Sequence, residues 1–477
     1  MISFKKLFSG VDVLGRKNVD DDFIFEGVSF NSKTVAKDFI FFCFKGEKNY
    51  GVDFVDEAIN NGAKAIVVEE FQEIDIPQIL VKNSRSAFSL ACKNLYDKVC
   101  DNLKIVGVTG TNGKTTTSHI IAHILNYCGK SAGIIGTNGA IWNGKKIDFS
   151  MTTPDPNVMH KIFLDMFNDG IEYVVMEVSA HAIKLNKLNG IKFQVAVATN
   201  ITQDHLDYFK TFDNYKNTKL DFLNSDKVLS LVINNDDKNI REGVVSVVPQ
   251  ISYAISNPAD CFAFSPLINI KGSSFILNFM DNIIDISTNL CGKYNIENVM
   301  ASFCACSILG LKFSEIQEAI ATFRQVDGRF NVYSSPKGYN VVIDYAHTPD
   351  GLEQVLKTAG GVTAGKLICV FGCGGDRDKD KRAKMAEVAE KHSDFVVVTS
   401  DNPRFENPQS IIDEICLGFK NSRHMEIVDR ESAIEFALNL CGAGDLVCVC
   451  GKGNEAYIDS CGHKISYSDQ KIVKKYL

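Results

Sequence analysis

Short, almost wholly apolar runs rich in valine, isoleucine and phenylalanine recur along this chain. Most of them stop abruptly in clusters of glycine, threonine, asparagine and charged residues. Runs of this length and β-branched content predict strands buried on both faces, with the polar clusters as the loops that follow. In the first stretch, FIFFCF at 39–44 predicts such a strand, 54–61 a short amphipathic helix ending at Gly62, and 65–68 a further strand. Strands are predicted again at 105–108, 133–135, 173–178, 195–198 and 229–233, alternating with helical stretches. That alternation favours a mostly parallel sheet with helices on both faces. A separate series at 341–343, 367–371, 395–398 and 446–450 repeats it. The expected organisation is α/β in three units: a small one at 1–84, a central one at 85–328 and a C-terminal one at 329–477. In such sheets ligands collect beyond the carboxyl ends of the strands. Chemistry is therefore sought at 110–117, 177–179 and 199–207, and in the third unit at 344–347, 372–382, 401–404 and 451–455.

Composition narrows the class. A chain of 477 residues is long for a single core, and 45% hydrophobic with 23% charged residues and ten prolines is the balance of a soluble globular protein. The net charge of −7 argues against a general nucleic-acid or acidic-membrane binder, while leaving room for a basic pocket facing a phosphorylated substrate. No apolar run reaches membrane-spanning length, and the opening MISFKKLFSGVDVL is broken by Ser9, Gly10 and Asp12, unlike a signal peptide. The expectation is a cytoplasmic protein without membrane insertion, its fifteen cysteines reduced. The spacings Cys304/Cys306 and Cys448/Cys450 are not metal-binding CxxC pairs and read as small buried hydrophobes.

KIVGVTGTNGKTTT at 104–117 has the outline of a phosphate cradle: a β-branched strand, a glycine turn and the polar start of a helix. Gly110 and Gly113 let the backbone approach the phosphates, Lys114 supplies a cation, and Thr115 places a hydroxyl on Mg²⁺. The strict pattern has glycine where Val108 stands. Glu177 closes an apolar run, where a carboxylate either holds the second side of that Mg²⁺ or caps the next turn. His205, between Asp204 and Asp207, offers imidazole to a cation or is structural. Tyr215 and Lys219 share one helix face, on which a lysine is ordinarily a solvated surface residue. Ser32, in Asn31-Ser32-Lys33, and Arg377, in a charged turn, each read either as ligand contacts or as plain surface loop. Turn chemistry accounts for Asp401-Asn402-Pro403 but not for Arg404, whose guanidinium suits bidentate capture of a carboxylate.

Together these motifs resemble the Mur ligases, ATP-dependent amide-forming enzymes that build the peptide stem of bacterial peptidoglycan. The resemblance covers nearly the whole chain and is carried by GTNGKTTT at 110–117, TTPD at 152–155, EVSAHA at 177–182 and TNITQDHLDY at 199–208. YNIEN at 294–298, DYAHTPDGL at 344–352, GCGGDRDKDKR at 372–382, DNPR at 401–404 and GKGNE at 451–455 complete it. It implies a UDP-sugar-binding first domain, an ATP-binding P-loop second domain and a Rossmann-like third domain for the incoming amino acid. DNPR is the form that the resemblance associates with meso-diaminopimelate rather than L-lysine, added to the D-glutamate of a UDP-muramoyl dipeptide through an acyl phosphate. Carried over, Ser32 would touch the UDP-sugar, and Thr152, Thr153, Ser179 and Lys187 would line the site for its peptide end. Gly110, Thr111, Asn112, Gly113, Lys114, Thr115 and Thr116 would bind ATP, with Asn295 and Asn298 near adenine. Arg329, Asp344 and His347 would complete the nucleotide site. Lys219 matches a lysine carbamylated by CO₂, which with Thr115, Glu177 and His205 would hold Mg²⁺. Lys114, Glu177, His205 and Lys219 would be catalytic. Arg377, Asp401, Asn402, Pro403, Arg404, Gly451 and Glu455 would hold diaminopimelate. This chain has Lys33 and Lys187 where the family usually has arginine, Leu185 where glutamine is common and Asn454 in place of a histidine. Lysine at 187 lacks the planar fork of a guanidinium. A monomer acting on small molecules is expected, with no nucleic-acid partner. The competing readings are a related ligase, adding L-lysine or extending folate, and a nucleotide-gated regulatory ATPase.

Overall fold

The computed structural model describes residues 1–46, 50–421 and 423–477. Three sheets, taken in chain order, organise it. The first has strands in the order Val13–Lys17, Gln78–Val81, Ala63–Val68, Phe39–Phe42 and Gly27–Ser29, all parallel except the first. The predicted strand at 39–44 thus ends at Phe42, and the helix expected at 54–61 is Val55–Asn60 after a short 3-10 turn at Gly51–Phe54. Helix Ser84–Leu95 begins at Asn83, whose side chain accepts the Ser86 N–H at 2.8 Å. It lays Ala87, Phe88, Ala91 and Cys92 into this first core, with the Phe88 ring edge-on to Phe42 at 5.1 Å. The expected boundary at 84/85 therefore falls at the start of a helix that packs on the N-terminal sheet.

The second sheet has eleven strands. Its middle is parallel, as expected: Ala132–Gly136, Tyr173–Glu177, Lys104–Thr109, Val195–Ala198, Leu231–Asn234 and Gln250–Ala254 lie side by side. Alternation decides how they bury. Val106 and Val108 join the core under helices Lys114–Tyr127 and Lys293–Ile308. Ile105 faces the opposite core, under helices Pro156–Asn168 and Phe212–Leu223. Gly107 lies on that second face too, and a side chain is excluded there because a Cβ would sit 2.7 Å from the Phe193 ring. One edge is antiparallel, Gly139–Trp142 with Lys145–Ile147; on the other, Cys261–Asn269 joins in parallel and then pairs antiparallel with Gly272–Phe279, which pairs antiparallel with Asn282–Thr288. The strand expected from 229 begins at Leu231.

The third sheet runs Asn331–Ser334, Asn340–Asp344, Leu446–Cys450, Leu367–Phe371, Phe395–Val398 and His424–Glu426, parallel after the first pair. Cys448 and Cys450 are buried on one face and Val447 and Val449 on the other. All fifteen cysteines are free thiols, and Cys304, Cys306, Cys448 and Cys450 are wholly buried, as the pattern predicted. Among the described residues no helix is long and apolar enough to cross a membrane.

Candidate active site

Three central strands, Lys104–Thr109, Tyr173–Glu177 and Val195–Ala198, end at the same edge of the sheet, and their loops meet there. Gly113, at φ +85°, caps the helix that begins at Lys114, and a Cβ on it would come 2.5 Å from the Asn298 amide oxygen. The turn and the YNIEN helix thus close on each other. Asn298 accepts from the Thr117 hydroxyl at 3.2 Å and donates to Asn295 at 3.1 Å.

Lys114 folds back over the turn, donating to the carbonyls of Gly110 at 2.9 Å and Thr111 at 2.8 Å. Burial lowers its pKa. The wholly buried Glu177 carboxylate accepts from the Thr137 N–H at 2.9 Å and from the hydroxyls of Thr137 and Thr115, each at 3.1 Å. Gly136 makes room for it, since a Cβ there would be 2.2 Å from Oε1. The Thr115 hydroxyl is also met by Arg329 at 3.2 Å, so the C-terminal domain reaches the turn directly. A second link runs from Asn112 to Asp350 at 2.8 Å. Asp344, buried below Arg329, accepts the N–H groups of Phe330 and Ala346, both at 2.7 Å, and burial raises its pKa. His347 is pulled down to about 4 by burial and by Lys381.

One cavity of about 350 Å³ at this junction is lined by residues of both domains, among them Lys114, Glu177, His205, Asn295, Arg329 and His347. Thr111 to Thr116, Thr152, Asn298 and Asp344 line it as well. His205 adopts a left-handed backbone at φ +54°, with its ring 3.4 Å from Asp204 and edge-on to His181. Burial lowers its pKa, whereas burial of Asp204 is outweighed by His205 and His347, which hold that carboxyl below its ordinary value.

Lys219 is not a solvated lysine, and that base-rate expectation is overturned. It is 1% exposed, its ammonium donating to the Gly110 carbonyl at 2.9 Å and lying 5.0 Å from the Tyr215 ring. Burial, helped by Lys114, pushes its pKa well below the usual lysine range. It lies against the turn rather than among the residues lining the cavity.

Beside the cavity, Thr153 donates to the Glu177 carbonyl at 2.8 Å and contacts the Ser179 hydroxyl at 3.2 Å, while Ser179 caps helix Ala180–Lys184. Lys187 is buried, its ammonium 2.8 Å from Asp155 and 3.3 Å from the Met151 sulfur, a point charge in place of a planar fork. Ser32 stands apart in the first domain, 6% exposed, with its hydroxyl donating to Glu57. That domain docks through helix Ser84–Leu95, where Ser89 donates to the Asn186 carbonyl and Ser86 accepts from Asn189.

The third-domain loops form a second cluster. Arg404, at φ +50°, donates to the Gly375 carbonyl at 2.6 Å, and Asn402 donates to Glu455 at 2.9 Å. Pro403 is buried beside them, and Gly451, at φ +115°, leaves room for Asp401, whose Oδ2 a Cβ there would approach to 2.7 Å. Arg377 is exposed at the rim.

Several residues escaped the sequence reading. Thr137 and Asp350 hold Glu177 and the turn. Arg382, almost wholly buried, clamps Glu406 and Glu414 beneath the 372–382 loop. Lys452 is wholly buried among Asn402, Glu455 and Asp401. Only Lys452 carried a usable signal, a lysine flanked by glycines at the end of a buried strand.

Three family profiles match the chain: "Mur ligase family, catalytic domain" over 24–100, "Mur ligase middle domain" over 108–306 and "Mur ligase, glutamate ligase domain" over 328–453. A curated relative from Clostridium tetani is 39% identical, covering 95% of this chain and 94% of its own length. One from Bacillus velezensis is 38% identical, covering 93% and 92%. Both are named UDP-N-acetylmuramoyl-L-alanyl-D-glutamate--2,6-diaminopimelate ligase. A solved structure titled with the same enzyme name superposes with a TM-score of 0.72 at 29% identity, covering 100% of this chain and 98% of that one. A MurF ligase from Thermotoga maritima in complex with ADP shares the fold, with a TM-score of 0.62 at 23% identity over 90% and 95% of the two chains.

Proposed function

Because the chain belongs to the Mur ligase family, we propose that it joins meso-diaminopimelate to the D-glutamate of UDP-N-acetylmuramoyl-L-alanyl-D-glutamate at the expense of ATP. The observation that carries this reading is the single cavity in which the glycine turn, Glu177 and the Arg329–His347 segment meet, with the loops of 372–382, 401–404 and 451–455 on the same domain as that segment.

A carboxylate and an ammonium do not condense in water, so the acceptor carboxylate is activated first. Its oxygen attacks the γ-phosphorus of ATP in line, giving an acyl phosphate and ADP. The diaminopimelate amine then attacks the acyl carbon and expels phosphate, and the nitrogen loses a proton. Backbone N–H groups at the start of helix Lys114–Tyr127 bind the phosphates. Lys114 leaves the carbonyls it now contacts and turns its ammonium to the transferring phosphoryl group. Arg329 brings a second cation from the other domain, so domain contact and charge neutralisation are one event. Thr152, Thr153, Ser179 and Lys187 orient the acceptor peptide, and Ser32 its UDP-sugar. Asn295 and Asn298 flank the adenine.

Magnesium fits the donors present: a buried carboxylate at Glu177 surrounded by neutral donors, the Thr115 hydroxyl and the His205 imidazole. When bound it offsets the repulsion between the two anions. Lys219 fits carbamylation: burial lowers its pKa, which favours the neutral amine, and that form adds to CO₂ with loss of a proton, exchanging a cation for an oxygen ligand. The use of ATP and of a nucleotide-linked substrate supports a cytoplasmic location, and the chain acts as a monomer, which light scattering tests.

The deciding assay supplies ATP, Mg²⁺ and the UDP-muramoyl dipeptide with either diaminopimelate or lysine and weighs the product. The expected product contains diaminopimelate, and oxygen-18 in the acceptor carboxylate passes into phosphate. A lysine product, or phosphate release without an acceptor, overturns the reading.

A further inference from the structure

Lys452 is 0% exposed, and a wholly buried ammonium persists only where every charge and hydrogen is answered. Its Nζ lies 2.9 Å from Asn402 Oδ1, 3.0 Å from Glu455 Oε2 and 3.9 Å from Asp401 Oδ1. Those acceptors come from two loops, one after strand Phe395–Val398 and one after strand Leu446–Cys450, so the lysine ties the loops together.

The bonds also set which way the side chains face. Asn402 Oδ1 takes a second donor, the Asp459 N–H at 2.9 Å, which points its Nδ2 at Glu455 Oε2. Both Asn402 and Lys452 therefore fall on the same oxygen of Glu455. Among the described residues, the side-chain bonds to Glu455 fall on Oε2, which leaves Oε1 for a ligand. Arg404, on the neighbouring turn, carries a guanidinium for a carboxylate.

We propose that Lys452 is a positioning residue for the amino-acid substrate. It locks Asn402 and Glu455 in one arrangement, so that Glu455 presents a single oxygen to the ammonium of a zwitterionic centre whose carboxylate Arg404 takes. The inference rests on the reading above that these loops hold the amino acid. Without the lysine, Asp401 and Glu455 face each other as like charges and the Asn402 amide is free to turn over.

The experiment uses the full-length enzyme with Lys452→Met and, as companion, Lys452→Gln, which keeps a donor for Asn402 without the charge. Lys452→Met should raise KM for diaminopimelate by about thirtyfold or more, with KM for ATP within about twofold and kcat at saturating amino acid within about threefold of wild type. Lys452→Gln should fall between the two. In combination with Asn402→Ala the effect on KM should be far less than the product of the single effects. Equal changes in both KM values, multiplicative effects in the double variant, or loss of the folded state in both single variants overturns the proposal and makes the lysine merely structural. A wild-type enzyme that does not use diaminopimelate defeats the underlying reading instead, so the two failures are told apart.

Discussion

At the scale of single residues, what surrounds each lysine or arginine decides what it can do. Lys219 is buried against the glycine turn, and burial holds its pKa well below normal, which supports the carbamylation proposed above. Replacing it with alanine should lower kcat by about a hundredfold or more, and wild-type activity should fall in bicarbonate-free buffer. Full activity of the alanine variant without bicarbonate contradicts the role. Arg404 makes a different argument. If it takes the distal carboxylate of diaminopimelate, as proposed, then with lysine in its place the guanidinium loses its carboxylate partner. The penalty of a few kcal/mol corresponds to about a hundredfold in preference. Arg404→Ala should narrow the diaminopimelate-to-lysine ratio of kcat/KM by that factor, chiefly through KM, as a two-substrate kinetic series would reveal.

Single elements are held by buried pairs whose loss is measurable as stability. Arg430, at the start of helix Arg430–Asn439, makes two 2.8 Å bonds to Asp469 on the last helix, and both side chains are wholly buried. Asp469→Ala strands a buried guanidinium and should cost about 3–5 kcal/mol in urea unfolding of the C-terminal domain. His160, on helix Pro156–Asn168, illustrates the opposite case. Its Nε2 is buried without a hydrogen-bond partner among the described residues, and burial pulls its pKa down to about 3. In the unfolded chain the imidazole titrates near 6.5. Between those values the unfolded state binds the extra proton, so this contribution to stability is complete above 6.5 and is lost as the pH falls toward 3. His160→Phe should keep about 2 kcal/mol that wild type loses between pH 7 and pH 4.5, compared by urea melts at the two pH values.

For the whole molecule the decisive contacts are those between domains, and they were the least legible in sequence. Arg329 to Thr115 and Asp350 to Asn112 join segments more than two hundred positions apart. Arg329→Ala should weaken ATP binding by about tenfold and diminish the rise in thermal midpoint that a non-hydrolysable ATP analogue produces, by calorimetry. The parallel strands and the loops after them could be read directly. A run such as 105–108 is buried on both faces, and a glycine turn with Lys114 has few other uses. The antiparallel edges were missed because strands such as Cys261–Asn269 carry exposed apolar residues and lack a clean alternation. The burial of Lys219 was hidden for a related reason, since helix periodicity says which side chains share a face but not what covers it. The sequence by itself determined the three-part α/β plan, the phosphate cradle and the family, because local pattern and turn chemistry act over a few residues. Only tertiary structure decided that Lys219 and Lys452 are buried, that Glu177 is ringed by threonines and that Arg329 reaches the turn. Burial and pairing depend on what distant segments bring to the same place, and no spacing within one segment encodes that.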